Sequence, residues 1–259
     1  MFAEVNPAFL IASLFFIVSG CYMYLCIVTF TSNTKSKSRD DYLSTGMCLI
    51  LYSLCYGLMT ITVNEWLCKI VWSVGFVSSC LFFSRWLVFS SNMVKIKRTI
   101  SMHMIKAAPV CAVIISIACV LSNDVVFVMT EHGVEFSYYN SLIFKAAVIY
   151  TTIVITAFLI LFFRWWRESE MKRNRIQALL FLILSALIAP IGFAADFIIP
   201  TFTENTAIPL ASICFLPVSM PLLTSMKKYK HLASRCPMLR GMYLILLQCL
   251  HWCLTAKII

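Results

Sequence analysis

Apolar and polar positions fall into blocks along this chain. Seven long apolar stretches, residues 8–31, 42–63, 68–90, 105–121, 141–163, 176–199 and 206–225, alternate with short segments that hold most of the charge. A hydrocarbon core about 30 Å thick is crossed by roughly 20 apolar residues in a helix, so each stretch predicts a membrane-spanning helix. The fourth is the shortest. Residues 107–121 alone reach about 23 Å at 1.5 Å per residue, and the helix gains a turn if Lys106 snorkels to the interface. A second pattern interrupts the blocks. Val125-Val126-Phe127-Val128-Met129-Thr130 and Val134-Glu135-Phe136-Ser137-Tyr138 flank the turn Glu131-His132-Gly133. This alternation predicts a small hairpin over the helix ends.

Composition agrees. Hydrophobic residues make up 61% of the chain and charged residues 12%, which excludes a water-soluble domain. The expected fold class is an all-α membrane protein, a seven-transmembrane helix bundle over residues 1–232. Residues 233–259 form a tail whose apolar part, residues 241–259, fits an interfacial helix, an eighth span or a truncated linker to an output domain. The N-terminus lacks a basic n-region and its apolar run exceeds that of a cleavable signal, so it is expected to stay as the first span.

The placement of Lys and Arg predicts orientation. Lys35, Lys37 and Arg39 follow the first span, Lys95, Lys97, Arg98 and Lys106 the third, and Arg164, Arg167, Lys172, Arg173 and Arg175 the fifth. The tail adds Lys227, Lys228, Lys230, Arg235, Arg240 and Lys257; only Lys69, Arg85 and Lys145 lie elsewhere. By the positive-inside rule that side is cytoplasmic, with the N-terminus outside and the C-terminus inside, as for a multi-pass protein of the cell membrane. The opposite side carries Glu4, Glu65, Asp124, Glu131, Glu135 and Glu204. The net charge of +10 is thereby explained by anionic lipid headgroups, and no nucleic-acid partner is expected. Arg164-Trp165-Trp166-Arg167 on one side, and Trp66 with Tyr138-Tyr139 on the other, predict interfacial belts.

Little points to catalysis. The chain has no GxSxG, HExxH, P-loop or Gly-rich dinucleotide turn. His103, His132, His231 and His251 lie apart in loops and tail. Cys21, Cys26, Cys48, Cys55, Cys80, Cys111 and Cys214 fall inside spans, where cysteine behaves as a small apolar residue. Cys236, Cys249 and Cys253 face a reducing cytoplasm as free thiols or palmitoylation sites. No cofactor or metal site is expected, and the chain reads as a non-enzyme.

Three ionisable residues lie within spans, where each is a functional-site hypothesis. Arg85 stands five residues from the cytoplasmic end of its span and can snorkel. Lys145 and Asp196 lie about one turn from the outer ends of the fifth and sixth spans, at similar depth. Two readings follow: a structural ion pair, or a pair bordering a ligand cavity open to the outside. Pro190 and Gly192 would loosen the sixth helix and make room for such a cavity. Pro217 and Pro221 predict a bend in the seventh.

Two seven-helix comparisons fail at the residues that matter. Residues 206–225 hold no Lys for a retinal Schiff base, and Ser84-Arg85-Trp86 and Phe215-Leu216-Pro217-Val218 stand where G-protein-coupled receptors show their motifs. The features together resemble another family. The hairpin after Leu121-Ser122-Asn123, the acid-proline ending Ala195-Asp196-Phe197-Ile198-Ile199-Pro200 and the exit Lys228-Tyr229-Lys230-His231-Leu232 are similar to the N-terminal seven-transmembrane region of bacterial sensor histidine kinases. That membrane unit also precedes diguanylate cyclases. The resemblance implies a sensor of a small or lipophilic ligand, or of the bilayer itself, that signals to a cytoplasmic kinase or cyclase partner. Residues 226–259 show no phospho-accepting box, ATP-binding glycines or GGDEF-like string, so no kinase activity is expected of this chain. A small transporter built as three plus one plus three helices is the alternative, disfavoured by a midplane of Leu, Ile, Phe and Ala.

Overall fold

A computed structural model describes residues 7–32, 37–94, 99–130, 132–203 and 208–228. Each apolar block becomes a helix because only an α-helix satisfies its own backbone where water is absent. The order is α1 (Pro7–Ser32), α2 (Lys37–Ile61), α3 (Glu65–Val94), α4 (Thr99–Ser122), strands β1 (Val126–Thr130) and β2 (Gly133–Ser137), α5 (Leu142–Glu168), α6 (Lys172–Phe193), a π-helical turn (Ala194–Ile198), α7 (Ile199–Phe202) and α8 (Ala211–Lys228). Pro7 opens α1, where its missing N–H costs nothing. The Asn64 side chain caps α3 by accepting from the N–H of Trp66 at 3.0 Å and of Leu67 at 3.3 Å.

Six of these segments are long and apolar enough to cross a membrane, the last running from Asn174 through α6 and the π turn to Phe202. α4 begins six residues before the apolar block and leaves Lys106 exposed, which resolves the short fourth span. α8 is the seventh helix of the bundle. It has 18 residues, ends on Lys227-Lys228 and continues helical through Pro217 and Pro221. The tail from residue 229 onward, with Cys236, Cys249 and Cys253, lies outside the described residues. The nine described cysteines are all free thiols.

α3 is the central helix. α2, α4 and α5 pack around it, burying Trp72, Phe76, Phe82, Phe83, Trp86 and Phe89. Several Ser and Thr hydroxyls inside the spans return their protons to their own helices. Thr29, Ser53, Thr60, Ser84 and Ser90 each donate to the carbonyl four residues back, at 2.7–3.0 Å.

The expected hairpin forms. β1 and β2 pair antiparallel with Val126 opposite Ser137 and Thr130 opposite Gly133. Thr130 Oγ1 orders the turn, its one proton shared between Gly133 O and Glu135 Oε1 while it accepts from His132 N–H. Gly133 has φ +106°, and a Cβ there would sit 2.5 Å from the Thr60 carbonyl oxygen. The turn therefore presses on the end of α2 at a point only glycine can occupy. β2 is buried against the helix ends and β1 lies outside it.

At the basic end, Arg164 pairs with Glu168 at 3.2 Å, Arg175 lies 5.4 Å from the Trp166 ring centre and Trp165 stacks on Phe181. Trp66 and Tyr139 at the hairpin end are 71% and 47% exposed, as interfacial aromatics would be. Tyr138 is not one of them. It is fully buried, because the chain between β2 and α5 turns inward and is clamped to α7 by Tyr138 N–H to Pro200 O at 3.0 Å and Asn140 N–H to Thr201 O at 3.3 Å.

Candidate functional site

The site is built where α6 loses its regular winding. Pro190 lies inside α6, and four residues later the helix widens into the π turn Ala194–Ile198. Single π turns in α-helices recur at functional positions because they re-aim side chains. Here the turn carries Asp196, which is 5% exposed. Pro200 follows in α7 and has no N–H to offer the carbonyl four residues back, which belongs to Asp196. The Tyr138 hydroxyl donates to that carbonyl instead. Tyr138 stacks on Phe144, with ring centres 3.9 Å apart, and on Phe136 of β2 at 5.7 Å. Burial pushes its phenol well above the usual tyrosine range, so it remains a proton donor at any physiological pH.

The Asp196 carboxyl faces the start of α8. Its Oδ1 accepts from the N–H of Leu210 at 2.8 Å and of Ala211 at 3.2 Å. Those amides have no partner within α8, and the carboxyl meets the positive end of the helix dipole. Oδ2 accepts from the Tyr52 hydroxyl of α2. In the first turn of α8, Ser212 O accepts from Tyr22 of α1 at 2.6 Å. Gly192 allows the helices to approach this closely, since a Cβ there would lie 2.7 Å from Ala211 Cα. One carboxyl thus joins α2, α6 and the start of α8, and its own backbone carbonyl is held by the segment following the hairpin.

Of the two ionisable residues at this depth, only Asp196 belongs to the arrangement. Lys145, in the first turn of α5, donates to Asn140 Oδ1 at 3.1 Å. The ion pairs among the described residues are Arg39–Asp40 and Arg164–Glu168. The expected Lys145–Asp196 pair is therefore replaced by a neutral-donor shell around the acid. Gly192 closes the space that Pro190 and Gly192 were expected to open. Arg85 is half-buried on α3. The residues missed in the sequence are Tyr22, Tyr52 and Tyr138. The available signal was a phenol inside or beside an apolar span, which needs an acceptor when buried.

A polytopic helical membrane protein is the class that this bundle defines, with six helices able to cross a bilayer and a seventh completing it. The chain belongs to the family described as the N-terminal 7TM region of histidine kinase, which matches residues 11–233. That region is the non-catalytic input part of those kinases. No curated protein matches the chain.

Proposed function

We propose that this chain is the sensing part of a membrane signalling system. Its hairpin end faces outward, its basic loops face the cytoplasm of a cell whose plasma membrane it crosses seven times, and α8 carries the signal to a cytoplasmic kinase or cyclase. The observation that carries the reading is the Asp196 junction. A stimulus that shifts the hairpin acts on Tyr138, hence on the backbone of the π turn, hence on the carboxyl that caps α8. Such a stimulus biases α8 only as far as it favours one arrangement of the junction over another. Asp196, rather than Lys145, is the site residue this reading retains.

Orientation is checked with reporter fusions. Fusions after Arg39, Arg98 and Arg173 should report the cytoplasm, and fusions at the hairpin turn the exterior. A cytoplasmic reading at the hairpin would overturn the orientation. The signalling claim is checked by joining residues 1–232 to a cytoplasmic kinase or cyclase output. Asp196→Asn should change the basal output of a correctly inserted chimera several-fold, because it weakens the cap on α8 without removing the side chain. Unchanged output in Asp196→Asn and Tyr52→Phe alike would remove the junction from the signalling path.

A further inference from the structure

Arg85 lies inside α3, and among the described residues its guanidinium makes no hydrogen bond and no ion pair. The chain has no acid left to give it. Of the eleven acidic residues, Asp40 holds Arg39 and Glu168 holds Arg164. Asp41 accepts from Asn92, Glu170 is exposed beyond α5, and Asp196 is held by Tyr52 and the start of α8. Glu65, Asp124 and Glu135 stand at the hairpin end, and Glu4, Glu131 and Glu204 adjoin that end in sequence. Residues 33–36, 95–98 and 229–259 contain no Asp or Glu. A cation in hydrocarbon is costly unless an anion meets it. Snorkelling moves the guanidinium toward the headgroups but does not supply that anion. It must come from outside the chain.

The surface leading to Arg85 selects the molecule that brings it. From residue 74 to residue 91, α3 is accessible only at Val74, Val77, Leu81 and Arg85. Steps of three and four residues place these on one face of the helix, and exposed Ile70 extends the line by a turn. Residues 86–91 are all buried, so the stripe ends on the cation. From Ile70 to Arg85 it runs about 22 Å at 1.5 Å per residue, more than one leaflet's share of a core about 30 Å thick. α2 borders it: Cys48 lies near Arg85, and a Cβ at Gly75 would meet Cys55 and Tyr56 at 3.1 and 3.3 Å. An apolar strip that ends on an unpaired guanidinium toward the basic end has the polarity of a phospholipid in the leaflet at that end. We propose that this stripe binds one phospholipid of net anionic headgroup, its phosphate on Arg85 and an acyl chain along α3 toward Ile70. The guanidinium fork fits phosphate oxygens. A headgroup without its own ammonium leaves the phosphate free to pair. The site rests on neither the orientation nor the signalling reading.

The test is native mass spectrometry of the full chain in uncharged detergent, titrated with phosphatidylglycerol or with phosphatidylcholine. One phosphatidylglycerol is expected to bind the unaltered chain about tenfold or more tightly than one phosphatidylcholine, a preference that a bidentate pair with phosphate supports. Arg85→Gln should abolish the preference and Arg85→Lys should keep part of it. Arg167→Gln, at an exposed position of the basic end, should keep it whole. Equal affinities for the two lipids on the unaltered chain would overturn the proposal without recourse to any variant. A preference that survives Arg85→Gln would assign the attraction to the basic loops and overturn it too. Oleate binding more tightly than phosphatidylglycerol would give the stripe to a fatty carboxylate instead. A dimer lost in Arg85→Gln would give the guanidinium's partner to a second copy. Either result refutes the phospholipid site.

Discussion

Asp196→Ala is expected to lower the stability of the folded protein by about 2–4 kcal/mol, measured by reversible unfolding in mixed micelles. The substitution strands three donors at once: the N–H groups of Leu210 and Ala211 and the Tyr52 hydroxyl. Leaving a buried donor unpaired costs roughly 1–3 kcal/mol. Hydrogen bonds measured within membrane bundles average nearer 0.6 kcal/mol, because the loosened helices find other partners. The range given reflects both. Asp196→Asn should cost only about 1 kcal/mol, since the amide oxygen can still accept from the start of α8 and the amide nitrogen can turn toward the Tyr52 oxygen. Lys145→Met is the discriminating control. Its amine is spent on Asn140 near the bundle end, so the loss should be under about 0.5 kcal/mol. A Lys145→Met loss matching that of Asp196→Ala would restore the ion pair and refute the junction described above.

Gly192→Val should be the other severe substitution, costing about 2–3 kcal/mol or more. A Cβ at 192 would lie 2.7 Å from Ala211 Cα and 2.9 Å from its Cβ, contacts with a backbone that cannot rotate away. Overpacking of this kind typically costs 1–3 kcal/mol. Here it also pushes the start of α8 from Asp196 and lengthens two hydrogen bonds. Gly20→Ala provides the contrast. Nothing lies within 4 Å of its Cβ position, and replacing glycine inside a helix by alanine gains roughly 0.5–1 kcal/mol. Equal unfolding midpoints for the two variants would mean that α6 and α8 do not meet at Gly192.

The two glycines also mark where reading a sequence stops. Both stand in apolar helices, and spacing does not tell the crowded one from the free one. The spans themselves were legible because a bilayer selects for little more than length and apolarity. The hairpin was legible because its alternation brackets a turn with glycine where φ must be positive. Trp66 and Tyr139 followed from their places at block ends. Depth was legible too, since each helical residue adds a fixed rise. That is why Lys145 and Asp196 looked like partners.

Direction around the helix axis was not legible. Each residue of a regular helix turns the side chain by about 100°, so one irregular residue re-aims everything beyond it. The π turn at Ala194–Ile198 is such an irregularity, and it points Asp196 at α2 and α8. Asn140, at φ 66°, likewise bends the chain so that Lys145 finds its acceptor locally. The sequence by itself determined that this chain crosses a membrane as a helical bundle, with a small hairpin at one end and a basic surface at the other, because those properties are additive along the chain. Only the tertiary structure decided which groups meet the buried carboxyl. That choice depends on the rotation and close approach of three separate helices, and no single segment encodes it.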